Sequence, residues 1–168
     1  MKKLHFIIAL ISALILFSYA CSNDSASDES KMRPESTTNF TTIADTIIYD
    51  VVIKNPDIND KWTEQCLSKL EKEILIDRIF EAIYDNELIP FDFFEGEKLS
   101  ISDIKELEKR EEFSREKIAK VQFEEIWYFD EKSLKMTKEV YSIMLAYEIY
   151  NSFGEIKGYK PAFKVYFK

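Results

Sequence analysis

Few side chains in this chain could do chemistry. The single histidine, His5, and one of the two cysteines, Cys21, fall within the first 21 residues. The other thiol, Cys66, is spaced with Trp62, Leu67, Leu70 and Ile74 along one helical stripe, which predicts a buried structural cysteine. Catalysis through it would need a lysine or a carboxylate as base. Paired carboxylates could serve glycosidic chemistry, but 31 acidic residues make coincidental pairs easy. No pair stands out as buried; Glu124 and Glu125 lie inside an otherwise apolar strand. One is expected to face solvent and the other to make a structural salt bridge. Residues 55–60 (NPDIND) offer hard oxygens but lack the glycine and the distal glutamate of a calcium loop. A turn followed by a helix cap at Asp60 is the simpler reading. Three glycines, Gly96, Gly154 and Gly158, build no phosphate-cradling loop. A histidine triad, a histidine-ligated metal and a four-cysteine zinc site are excluded by this inventory. The expectation is a protein without catalytic residues, cofactor or metal, with a carboxylate hydrolase as the last-ranked reading.

The front of the chain carries its own message. Lys2 and Lys3 give a positive start, residues 6–17 are apolar apart from Ser12, and Ser18-Tyr19-Ala20 leads into Cys21 with small residues at −3 and −1. This is a secretory signal pattern, with an apolar stretch too short for a comfortable transmembrane helix. A cysteine placed after the small residue resembles a bacterial lipobox, which implies a lipid on Cys21 and firm anchoring by more than one acyl chain. Residues 1–20 are thus read as a lipoprotein signal peptide. Residues 21–43, rich in Ser and Thr, are read as a lipidated flexible tether. Asp24, Asp28 and Glu29 resemble an acidic surface-export signal, and Asp24-Ser25-Ala26 resembles a short O-glycosylation motif. The chain has 168 residues, with 31 acids against 23 bases, and removing Lys2 and Lys3 makes the remainder more acidic still. A nucleic-acid partner is therefore not expected.

Residues 44–168 are enough for one domain. A strand is predicted over 45–54. Apolar residues at helical spacing from Lys61 to Tyr84 change phase near Ile74, which means either one widely buried helix or two helices with a kink. The connector 86–96 is very apolar and is expected to pack on the domain. Ser100 and Asp103 form a partial capping box for a helix reaching about Glu112, with Ile101, Ile104 and Leu107 inward. Strands are predicted from 118 to 130, from 136 to 150 and from 159 to 167. This order predicts an α+β domain with a small antiparallel sheet of about four strands and two to three helices.

Aromatic side chains crowd the last third: Trp127, Tyr128, Phe129, Tyr141, Tyr147, Tyr150, Tyr159, Phe163, Tyr166 and Phe167. Most would fill a sheet core. Trp127, Tyr128, Tyr159 and Phe163 are candidates for a partner-binding face.

Residues 121–130 (VQFEEIWYFD) resemble the segment of the GldN/PorN family in which a strand ends in Glu-x-Trp-Phe-Phe-Asp. Residues 154–167 (GEIKGYKPAFKVYF) are similar to its later Gly-x-x-x-Gly-Tyr-x-Pro-x-Phe-x-Val-Tyr-Phe element. Residues 81–92 resemble its connector, and 99–104 its Leu-Thr-x-x-Glu-Ile stretch. The resemblance spans about residues 47–167. It implies a non-enzymatic envelope subunit of the gliding-motility and type IX secretion apparatus of Bacteroidetes, working with other envelope proteins. Members of that family are longer and carry a plain signal peptide, so this chain looks like a short, self-anchored relative at the outer membrane. The alternative expectation is a surface lipoprotein that binds a glycan or peptide through its aromatic face.

Overall fold

The computed structural model describes residues 40–167. The expectations for the signal peptide, Cys21, Ser25 and most of the tether lie outside the described residues.

The first strand, β1 (Phe40–Val52), is followed by helices α1 (Lys61–Leu67) and α2 (Lys72–Tyr84). The two-residue strand β2 (Pro90–Phe91) comes next, then helix α3 (Ile101–Lys109), and after a short 3₁₀ turn the strands β3 (Ile118–Asp130), β4 (Lys135–Tyr150) and β5 (Ile156–Tyr166). The strands form one antiparallel sheet in the order β1-β3-β4-β5-β2. The α+β architecture is as expected, with a fifth strand. It arises in the apolar connector, where Pro90 and Phe91 pair with Val165 and Lys164. β1 starts at Phe40, inside the stretch read as tether, and Phe40 pairs with Asp130 at the far end of β3.

The helical stripe over 61–84 resolves into two helices. Asp60 caps α1 by accepting from the amides of Trp62 and Thr63 at 3.1 Å each. α1 buries nothing: Trp62 is 73% exposed and Cys66 is exposed. The expectation of a buried Cys66 is therefore corrected, because its stripe faces solvent on a helix of two turns. α2 carries the true inner face, Ile76, Ile79, Phe80 and Ile83. α3 begins with the complete Ser100–Asp103 capping box and buries Ile104 and Leu107. It ends at Lys109, short of the expected Glu112.

Register explains which residues meet the helices. Val51, Val121, Leu145 and Phe163 lie opposite one another across four strands, and Tyr49, Phe123, Ile143 and Val165 form the next rung. Successive residues on a strand face opposite sides, so these rungs line one face. Apart from Tyr49, these residues make the core together with α2, α3 and Phe113. Phe80 sits at its centre, edge-on to Phe163 with centroids 5.2 Å apart. The intervening rung, Asp50, Gln122, Met144 and Lys164, stands on the opposite face. Met144 and Ala146 are buried on that face as well. Long polar side chains cross it: Gln122 donates to Asp50 at 2.9 Å, Lys120 pairs with Asp50 at 3.2 Å, and Lys164 pairs with Glu124 at 2.7 Å. Lysine stems of this kind shield apolar surface while their ammonium groups remain hydrated.

Candidate functional site

Two places gather residues that the core does not use. The first is an arm. Core packing stops at Phe123 on β3 and Val140 on β4, but β3 and β4 continue to Asp130 and Lys135, with β1 paired alongside as far as Phe40. The resulting three-stranded extension exposes Ile43, Ile48, Leu134 and Met136. Its tip is the turn between β3 and β4, where Leu134 takes the left-handed conformation, φ 54°. That region is costly for a side chain branched like leucine, and leucine gains nothing there from its exposure.

Trp127 and Tyr128 both lie on this arm, and as neighbours on one strand they face opposite sides. The Trp127 indole N–H donates to Glu125 Oε2 at 2.8 Å. Lys138 Nζ is 3.5 Å from the same oxygen, 4.3 Å from the centre of the Trp127 ring and 5.6 Å from that of Tyr49. Glu125 is buried. Burial would raise its pKa, but the hydrogen bonds from Trp127 and Tyr49 and the Lys138 charge outweigh that and hold it below the ordinary glutamate value. On the other face, Tyr128 O–H donates to Glu139 Oε2 at 2.9 Å. The expectation for the two adjacent glutamates is also corrected. Both are ion-paired, Glu125 with Lys138 and Glu124 with Lys164. An irregularity in the β3–β4 register between them places an extra residue, Tyr141, on β4.

The second place is an open groove of about 990 Å³ at the opposite end of the sheet. One side is the loop after β1, Lys54 to Ile58, and the other is the β4–β5 turn from Gly154 to Tyr159. Glu148 forms its floor and is 1% exposed. Its Oε2 accepts from Lys54 Nζ at 2.5 Å and from the Tyr150 hydroxyl. Its Oε1 is buried without a partner. Tyr159 stands directly opposite Glu148 in the β4–β5 register, and Tyr150 lies two residues further on the same strand. The hydrogen bond to Glu148, with burial adding to it, raises the Tyr150 pKa. Burial opposes the charge on Lys54, but its bond and attraction to Glu148 prevail and raise its pKa too. Sequence reading missed Glu148. The available signal was a lone acid inside the apolar run Ile143 to Tyr150.

The four aromatic candidates thus do not form one face. Trp127 and Tyr128 share the arm, Tyr159 lines the groove, and Phe163 is wholly buried against Phe80. Phe163 is corrected to a core residue, since its rung faces the helices. Among the described residues, no group of three or more His, Cys, Asp and Glu could hold a metal ion. No described helix is long and apolar enough to cross a membrane.

In comparisons with known proteins, no family model matches this chain, and no curated protein shows significant similarity to it.

Proposed function

We propose that this protein is a non-catalytic bacterial envelope lipoprotein that works as a protein-interaction or assembly module, resembling the GldN component of gliding motility and type IX secretion. Lipid on Cys21 holds it at the outer membrane, and other envelope proteins of a secretion or motility assembly are its partners. The observation that carries the reading is the arm. It is ordered by three paired strands, adds nothing to the core, and presents an exposed leucine at its tip in a backbone conformation that leucine disfavours. Strain and apolar exposure held together at one point are what a docking element needs and what a purely structural hairpin avoids. The Cys21 pattern and the motifs at 121–130 and 154–167 support the envelope setting.

The test places a photo-crosslinking residue at Tyr128 or Leu134 of the lipidated chain in its native envelope. A single product at near-stoichiometric yield is expected from the arm, and none from Glu64 on α1. Absence of any product from the arm overturns the reading.

A further inference from the structure

We infer that the groove beside Glu148 is a binding site for a neutral carbohydrate. The inference is independent of the arm. Its starting point is the buried, unpartnered Oε1 of Glu148. A buried acceptor without a donor is costly, so the site is completed by a group that brings an N–H or O–H. Lys54 already balances the Glu148 charge at 2.5 Å. A cationic ligand would add a second positive charge beside Lys54, whereas a hydroxyl supplies the donor and leaves the balance unchanged. The rest of the lining points the same way. Asp57 and Glu155 stand against Lys157, with Asn55 also in the wall, so it offers donors and acceptors of both kinds and a single surplus negative charge, which an open, hydrated groove screens. Tyr150 and Tyr159 flank the carboxylate on the same face as aromatic surfaces for the C–H faces of a sugar ring, with Lys120 Nζ 4.7 Å from the centre of the Tyr159 ring on one side of it. The groove is open along its length, which suits part of a chain better than an enclosed small molecule.

Oε1 becomes reachable when one of the two side chains bonded to the carboxylate turns aside. Tyr150 is the one placed to turn, since it is 42% exposed and reaches the carboxylate through its hydroxyl alone. One sugar hydroxyl then donates to Oε2 in the place of Tyr150 and a neighbouring one donates to Oε1, and the ion pair with Lys54 stays.

The experiment titrates the full lipidated chain in detergent micelles with maltose, cellobiose, chitobiose and mannobiose. Hexa-arginine and an acidic galacturonate oligomer serve as charged probes, and heat release and tyrosine resonances are the readouts. Expected is saturable binding of at least one neutral disaccharide at about 10 mM or below. Tyr159→Ala should weaken it about five- to tenfold, and Tyr128→Ala on the arm should leave it unchanged. Tyr150→Phe removes the competing hydroxyl and keeps the ring, so binding holds or tightens. Thermal unfolding of each variant confirms that it folds. Binding of hexa-arginine or galacturonate alone, no binding of any neutral sugar, equal weakening by Tyr128→Ala, or loss of binding in Tyr150→Phe overturns the inference.

Discussion

Glu125 and Glu148 are both buried carboxylates on strands, but their surroundings differ. Glu125 is bonded by Trp127 and faced by Lys138, with its pKa held down. A carboxylate with a lowered folded pKa adds stability above its unfolded value, and that stability is lost as the pH falls through the folded value. Glu125→Gln should therefore destabilise the protein at pH 7 by about 1–2 kcal/mol. The gap from wild type should close as urea melts are taken down through the glutamate range. Glu148 depends on Lys54, and Lys54→Met strands a buried charge. Loss of about 2–3 kcal/mol is expected, reduced from a fully buried pair because Lys54 is partly exposed. Tyr147 gives the opposite case. Its hydroxyl is buried in the core without a partner, so Tyr147→Phe should be neutral or raise stability by about 1 kcal/mol in the same melts.

At the scale of elements, α1 and the β3–β4 turn do no core work, while α2 sets Ile76, Ile79, Phe80 and Ile83 against the strands. Phe80→Ala should cost about 3–5 kcal/mol, because the ring fills the space between Phe163, Phe113 and Tyr84. Trp62→Ser on α1 should shift stability by less than about 0.5 kcal/mol. Leu134→Asn at the arm tip separates stability from function. Asparagine tolerates the left-handed region, so a gain of up to about 1 kcal/mol is expected together with weaker partner crosslinking. These elements also mark what was readable beforehand. The alternation in β3, β4 and β5 and the Ser100–Asp103 box were legible because local patterning decided them. The start of β1 at Phe40 was not, since a Thr-rich stretch reads as tether until its pairing with residues 128–130 is seen. Cys66 misled because helical spacing identifies a stripe but not the side it faces. Glu148 was hidden because both faces of β4 are buried, one by helices and the other by lysine stems, which alternation alone does not reveal.

For the molecule as a whole, the core sits at the centre of a long sheet, and the arm and the groove lie at its two ends. The arm offers apolar side chains and a strained tip, and the groove offers a buried acceptor between tyrosines. The acidic balance of the chain then fits a charged surface around two local sites. If Cys21 carries lipid, Cys21→Ser should move the protein from the membrane pellet to the soluble fraction, with its thermal unfolding unchanged. The most direct measurement of the central claim is quantitative photo-crosslinking from the arm in the native envelope. Probes at Tyr128 and Leu134 are compared with one at Glu64. One stoichiometric partner captured from the arm positions alone, and diminished by Leu134→Asn, is the expected result. Equal capture from all three positions, or none from the arm, would contradict it.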